Sequence, residues 1–153
     1  MSTWFNSVTQ DLSQLPNCIE YYETEIASSK SDIKLRGNVE SASRDMPGIF
    51  EHRFNQLQDI EAILENLNID LRKLRSHKFK GFIEHYNRAL SSRDAEKYVD
   101  GDDDVVSLSK LVNEFALLRN KYLGVIKALD TKQWQITNIV KLRVAGMEDA
   151  SLS

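Results

Sequence analysis

Between Leu71 and Arg93 the chain reads LRKLRSHKFKGFIEHYNRALSSR, with seven Lys or Arg side chains against a single acid, Glu84. Three rings, Phe79, Phe82 and Tyr86, are threaded among the cations. Flat apolar faces beside positive charge suit one chemistry in particular: unpaired bases stack on the rings while the cations follow a phosphate backbone. On a helix, Arg75, Lys78, Phe79, Phe82 and Tyr86 fall at three- and four-residue steps and form one stripe, which Arg72 extends by a turn. Lys80 lies at its border, and Lys73 and Arg88 complete the candidate nucleic-acid-binding set. No hydrogen-bonding pattern in the stripe is aimed at a particular base edge, so recognition is expected to be nearly indifferent to sequence. An apolar core with an ordinary solvated face accounts for most of these residues too. Lys78 and Gly81 tip the balance, because they interrupt an apolar seam where packing alone would have asked for leucine.

Catalysis finds little to work with. His77 and His85 lie eight residues apart, and no metal-ligand spacing of the HExxH kind occurs. Cys18 is the only cysteine, so neither an internal disulfide nor a thiolate cluster is available. No GxxxxGK[ST] loop is present to hold a nucleotide phosphate. Asp100, Asp102 and Asp104 alternate like a calcium loop, but Val105 stands where the glycine belongs and Leu111 where the closing carboxylate belongs. The expectation is no enzyme, no cofactor and no metal, with Asp102 or Asp103 serving as a helix cap.

The formal net charge of −3 hides a segregation. Residues 71–93 carry +6, 94–118 carry −5 and 119–143 carry +5. Segregated belts imply a field with a use: binding a polyanion or aligning neighbouring chains. No apolar run approaches the ~20 residues a bilayer crossing needs. The start, MSTWFNSVTQDLSQ, lacks a basic region followed by an apolar core. With its lone cysteine, the chain is expected in a reducing interior, away from membranes.

Long helices must position the stripe. Leu57, Ile60, Leu64, Leu67, Leu71 and Leu74 alternate three and four apart, the pattern of a helical seam. Pro47 suits a first turn, so this helix is expected from about residue 48 to about 92. A second seam, Leu108, Leu111, Phe115, Leu118, Tyr122, Val125 and Leu129, keeps the same spacing and leads on through Lys132, Ile136, Ile139 and Arg143. It is open whether residues 105–145 form one helix or two. Residues 1–46 read as a polar, loosely structured segment with a possible short helix capped by Asn17, and RGNVESASRDMPG reads as its linker. Residues 47–146 read as an oligomerisation and DNA-binding domain, and 147–153 as a flexible tail. No useful length alternates with period two, so the fold class is all-α. Ile63, Ile69, Val112, Leu117, Ile126 and Val140 broaden the apolar stripe beyond what two helices need. Self-association is therefore expected, through Leu108, Leu111, Phe115, Leu118, Tyr122, Val125, Leu129, Trp134, Ile136 and Ile139.

Three stretches carry a resemblance to a known family. LRGNVESASRDMPGIFEHRF is similar to a Ser/Ala-rich lead into a first long helix, and KYVDGDDDVVSLSKLV to an acidic turn opening a Val/Leu-rich helix. WQITNIVKLR is similar to a pattern met here by Trp134, Ile136, Ile139, Leu142 and Arg143. The chain resembles the UvsY-type recombination mediators of tailed phages over most of residues 35–146. The resemblance implies an all-helical, ring-like homo-oligomer that binds single-stranded DNA without enzymatic action. Such a protein helps load the phage recombinase onto strands covered by the phage single-strand-binding protein, in the cytoplasm of the infected bacterium. The family's DNA site, a basic motif before a tyrosine-containing turn, is similar to the region of Lys78, Lys80 and Tyr86, although an adjacent aromatic pair and a following glycine are missing here. The rival reading is a coiled-coil scaffold or adaptor whose charged belts dock subunits without nucleic acid. A membrane-surface helix fits less well, since rings and cations share one stripe.

Overall fold

In a computed structural model, residues 2–146 are described, and every regular element among them is helical. The tail expected at 147–153 lies outside the described residues. Five α-helices follow in order: α1 Thr3–Gln10, α2 Leu15–Ile33, α3 Val39–His85, α4 Ser92–Asp100 and α5 Asp103–Val144. A single 3-10 turn, Leu12–Gln14, joins the first two. The chain divides into two compact units, Met1–Ile60 with Leu118–Ser153, and Glu61–Leu117. Helices α3 and α5 each contribute to both.

Residues 3–46, expected to be loosely structured, are largely helical. Ser2 caps α1 by accepting a hydrogen bond from the Phe5 amide at 3.1 Å. Pro16 sits in the first turn of α2, where its missing N–H costs nothing. Asn17 does not cap this helix; its amide instead donates to Gln14 Oε1 at 3.2 Å. Leu15, Cys18, Tyr22 and Ser29 are buried along α2, one face of a helix turned inward. Burial pushes the Cys18 thiol up to about 12, which leaves it an unreactive packing group.

The stretch read as a linker is helix. Asn38 Oδ1 accepts from the Glu40 amide at 2.7 Å and starts α3 at Val39, well before Pro47. Gly37, at φ +70°, supplies the left-handed residue the preceding turn requires. Pro47 thus lies inside the helix and deprives the Ser43 carbonyl of its usual donor. The helix survives because its flanks are held. Met46 is buried with Val125 and Leu129, and Ile49 and Phe50 pack beside them. Pro47 itself faces outward, where water can satisfy the freed carbonyl. At its other end α3 stops at His85, short of the expected residue 92.

Both seams are buried within the chain. In the first unit, Leu57 and Ile60 of α3 join Leu118, Tyr122, Val125, Leu129 and Ile136 of α5 in the core. Tyr22 meets Tyr122 edge to face at 5.9 Å, and the Tyr122 hydroxyl donates to Gln56 at 3.5 Å. Arg53 lies among these groups with its charge fully used. Its guanidinium donates to Asp32 at 2.6 and 2.8 Å, to Glu25 Oε2 at 3.0 Å and to Ser28 at 3.0 Å. In the second unit, Ile63, Leu64, Leu67, Ala95, Val99, Val105, Val112 and Phe115 are buried. Helix α5 is continuous from Asp103 to Val144, one helix rather than two.

A proline inside a helix costs ~3 kcal/mol, partly offset by about 1 kcal/mol from its stiffening of the unfolded chain. Pro47→Ala should therefore stabilise the protein by roughly 2 kcal/mol. A urea denaturation midpoint that fails to rise would show that α3 is relieved at Pro47 by something other than its packed flanks.

Candidate nucleic-acid interface

The basic, ring-bearing segment occupies the last turns of α3 and the bend after it. Arg75, Lys78, Phe79 and Phe82 lie on α3 while Tyr86 follows its last residue, and the cations do not stand alone. Arg75 Nη2 lies 2.7 Å from Asp100 Oδ1. Lys78 Nζ lies 2.8 Å from Asp104 Oδ2 and 3.4 Å from Asp102 Oδ2. Arg72 reaches back to Glu65 at 3.4 Å, and Lys80 approaches Glu84 at 4.0 Å, both on exposed surface. Pairs of that exposed kind contribute little and are easily exchanged. The Arg75 and Lys78 contacts differ, because they join the helix bearing the stripe to the acidic turn between α4 and α5.

Local chemistry puts that turn in place. Ser91 caps α4 by accepting from the Asp94 amide at 3.1 Å, and Ala95 and Val99 turn one narrow face into the core. Asp102 caps α5, its Oδ1 accepting from the amides of Asp104 at 3.0 Å and Val105 at 3.3 Å. The cap expectation holds for Asp102. Its other carboxylate oxygen is left for Lys78. Hydrogen bonding to Asp104, then to Asp102, holds the Lys78 ammonium above the ordinary lysine range despite an opposing loss of solvent. For Asp102 the loss of solvent works upward, but the Val105 amide and Lys78 prevail and hold its carboxyl below the usual range. The pair is therefore complete above the ordinary Asp range and is lost as pH falls through the depressed Asp102 value.

The rings form a cluster that includes one residue the sequence pattern does not single out. Phe82 stacks on Tyr98 of α4 with centroids 5.5 Å apart and planes 30° from parallel. Tyr86 lies 5.4 Å from Tyr98 and meets Phe82 edge-on at 6.2 Å. Tyr86 and Tyr98 remain 41% and 40% exposed, so part of each ring faces solvent. Hydrogen bonding with Tyr98 is the largest cause raising the Tyr86 phenol above its ordinary range. A cleft of about 290 Å³ opens beside them, lined by His77, Lys78, Gly81, Phe82, His85, Tyr86 and Asp102. Gly81 lines it without a side chain, and a Cβ built there would meet nothing within 4 Å. Phe79 is half-buried and apart from this ring cluster, while Lys73 and Arg88 are exposed. Tyr98 is legible in principle, since Ser91, Ala95 and Val99 mark a short capped helix and Tyr98 adjoins its buried face.

The residues expected to drive self-association are placed differently. Phe115, Leu118, Tyr122, Val125, Leu129 and Ile136 are buried inside their own units, and Leu108, Leu111 and Ile139 are half-buried. Trp134 alone among them is open, 62% exposed. No group of histidine, cysteine and carboxylate side chains able to hold a metal occurs among the described residues. No described helix is long and apolar enough to cross a membrane. Comparison with protein-family models, with curated proteins and with solved structures gives no match to this chain.

Proposed function

We propose that the protein is a non-enzymatic recombination mediator that binds single-stranded DNA as a homo-oligomer. In this reading it helps a phage recombinase replace a single-strand-binding protein, in the cytoplasm of an infected bacterium. The mediator role and these partners follow from the resemblance carried by residues 35–146. The DNA-binding half is supported by one observation above the rest: Phe82, Tyr86 and Tyr98 form a half-open ring cluster beside cations. Every base offers a face to such a platform, which makes binding tolerant of sequence. Self-association draws support from exposed apolar side chains near the end of α5, Trp134, Val140 and Val144.

Arg75 and Lys78 give this reading a mechanism for restraint. Three carboxylates sit where phosphates would sit, so a strand must displace Asp100, Asp102 and Asp104 before these two cations can contribute. The same pairs favour the scaffold reading, in which opposite charges serve only to hold helices together. The two readings separate in one titration of labelled oligo-dT. A scaffold ignores the oligonucleotide even in dilute buffer.

Replacing Tyr98 by Ala should weaken oligo-dT binding by about 1–3 kcal/mol, the range for one stacked base. An unaffected affinity would put the bases elsewhere. Asp102→Asn with Asp104→Asn should act oppositely, tightening binding and steepening the dependence of log affinity on log salt by roughly 0.7 for each phosphate contact that Lys78 gains. Looser binding by that variant would mean the acids hold the site in shape rather than compete for it. Phe115 is fully buried, so the surface to test for assembly is Trp134. Trp134→Asp should lower the mass measured by light scattering while helicity is retained, and an unchanged mass removes this face from the assembly.

A further inference from the structure

Both seams are broken by a lysine, and the two lysines are treated in opposite ways. Lys78 meets two carboxylates. Lys132, on the α5 seam, is only 6% exposed, yet it donates to a backbone carbonyl, that of Asp32, at 2.5 Å from Nζ. An ammonium has three donors, so one such bond leaves capacity for more. The carboxylate of that same residue, Asp32, is already engaged by Arg53 at 2.6 Å. A buried cation without a carboxylate is costly unless something anionic comes to it.

Lys132 lines a groove of about 860 Å³ between α5 and the loop that joins α2 to α3. Lys34 and Arg36 of that loop line it too, and no residue lining it is acidic. Neither Lys34 nor Arg36 has an ion-pair or hydrogen-bond partner for its side chain among the described residues. Thr131, Gln135 and Asn138 add neutral polar groups, at three- and four-residue steps along one face of α5. Ile33, Leu35 and Ile139 form apolar walls. A cleft with charge of one sign and low-dielectric walls concentrates its field on an incoming counter-ion. A neighbouring groove of about 600 Å³ continues the positive charge with Arg44 and Arg143, tempered by Glu40. From Lys132 to Arg143 is about 16 Å along the helix, longer than a single phosphate requires.

We infer that the groove between the α2–α3 loop and α5 is a phosphate-backbone site for single-stranded nucleic acid, separate from the ring cluster. The inference rests on the nucleic-acid reading above and assigns it a second contact of a different kind. The ring cluster holds bases and contributes little salt dependence, whereas the groove holds phosphates and contributes much. No displacement of acids is needed there, so the groove is the place for first capture of a strand.

The test uses the full chain, labelled oligo-dT and two salt concentrations, with Lys34→Gln and Arg36→Gln combined. Both side chains are exposed loop residues, so circular dichroism and melting should be unchanged. The slope of log affinity against log salt should flatten by roughly 1.4 for two lost phosphate contacts, and affinity in dilute buffer should fall. Tyr98→Ala should weaken binding with the slope intact. If oligo-dT binds the double variant with unchanged affinity and slope, the groove inference is overturned and the ring-cluster reading stands. If the unmodified chain binds no oligo-dT, both are overturned. Should the double substitution disturb the helices, Arg36→Gln alone decides the question in the same way, its slope falling by roughly 0.7 or not at all.

Discussion

A cation placed on the packed face of a helix must find negative charge, and that constraint organises both units. Arg53 shows the complete solution. Its guanidinium is nearly enclosed, and Glu25 and Asp32 on α2 with Gln56 on its own helix use its donors. Removing one partner from such an arrangement typically costs about 3–5 kcal/mol, because the remaining charge stays buried. The network therefore fixes where α2 lies on α3, and with it the loop that carries Lys34 and Arg36. Every later feature of the first unit inherits that placement.

Lys78 shows a looser version of the same constraint. It is partly open, and its acids are the cap of α5, Asp102, and Asp104 in that helix's first turn. A part-exposed contact of that type is more easily exchanged than the enclosed Arg53 network. Exchange is what a binding surface needs, since a phosphate and a carboxylate make nearly the same demand on an ammonium. The segregated charge of the sequence thus has a local meaning: the −5 segment supplies partners for the +6 segment. Opposite belts along one chain read as an external field until the fold brings them together.

How far the sequence discloses the structure depends on which physical signal each element uses. The α3 and α5 seams are legible because periodic burial is written directly in residue type, and the seam positions from Leu57 to Leu74 and from Leu108 to Leu129 are buried or half-buried. The start of α3 is not legible, because Pro47 is a strong local signal for a helix start and Met46, Val125 and Leu129 overrule it from far along the chain. The helicity of residues 3–33 is faint in the sequence for a related reason. Their Ser and Asn content favours caps and turns, and only the burial of Val8, Leu15, Cys18 and Tyr22 holds them helical. Of the residues that broaden the apolar stripe, Ile63 and Val112 are buried, whereas Ile69, Leu117 and Val140 stay exposed. The short capped helix that carries Tyr98 is legible, but its meeting with Phe82 and Tyr86, and that of the three aspartates with Arg75 and Lys78, is not, because proximity across a turn leaves no mark on spacing.

Packing alone does not account for the two seam lysines. Substituting a leucine for either would suit the seam, and nothing in the core explains forgoing about 1.5–3 kcal/mol of apolar burial at each. At position 78 the forgone burial is compensated by Asp102 and Asp104 within the chain. At position 132 the ammonium donates to the Asp32 carbonyl in the last turn of α2, and the groove it lines with Lys34 and Arg36 holds no acid. Three positive groups around one apolar-walled groove, with no acid lining it, repel one another. An entering anion relieves that repulsion, so binding there gains from what folding left unbalanced.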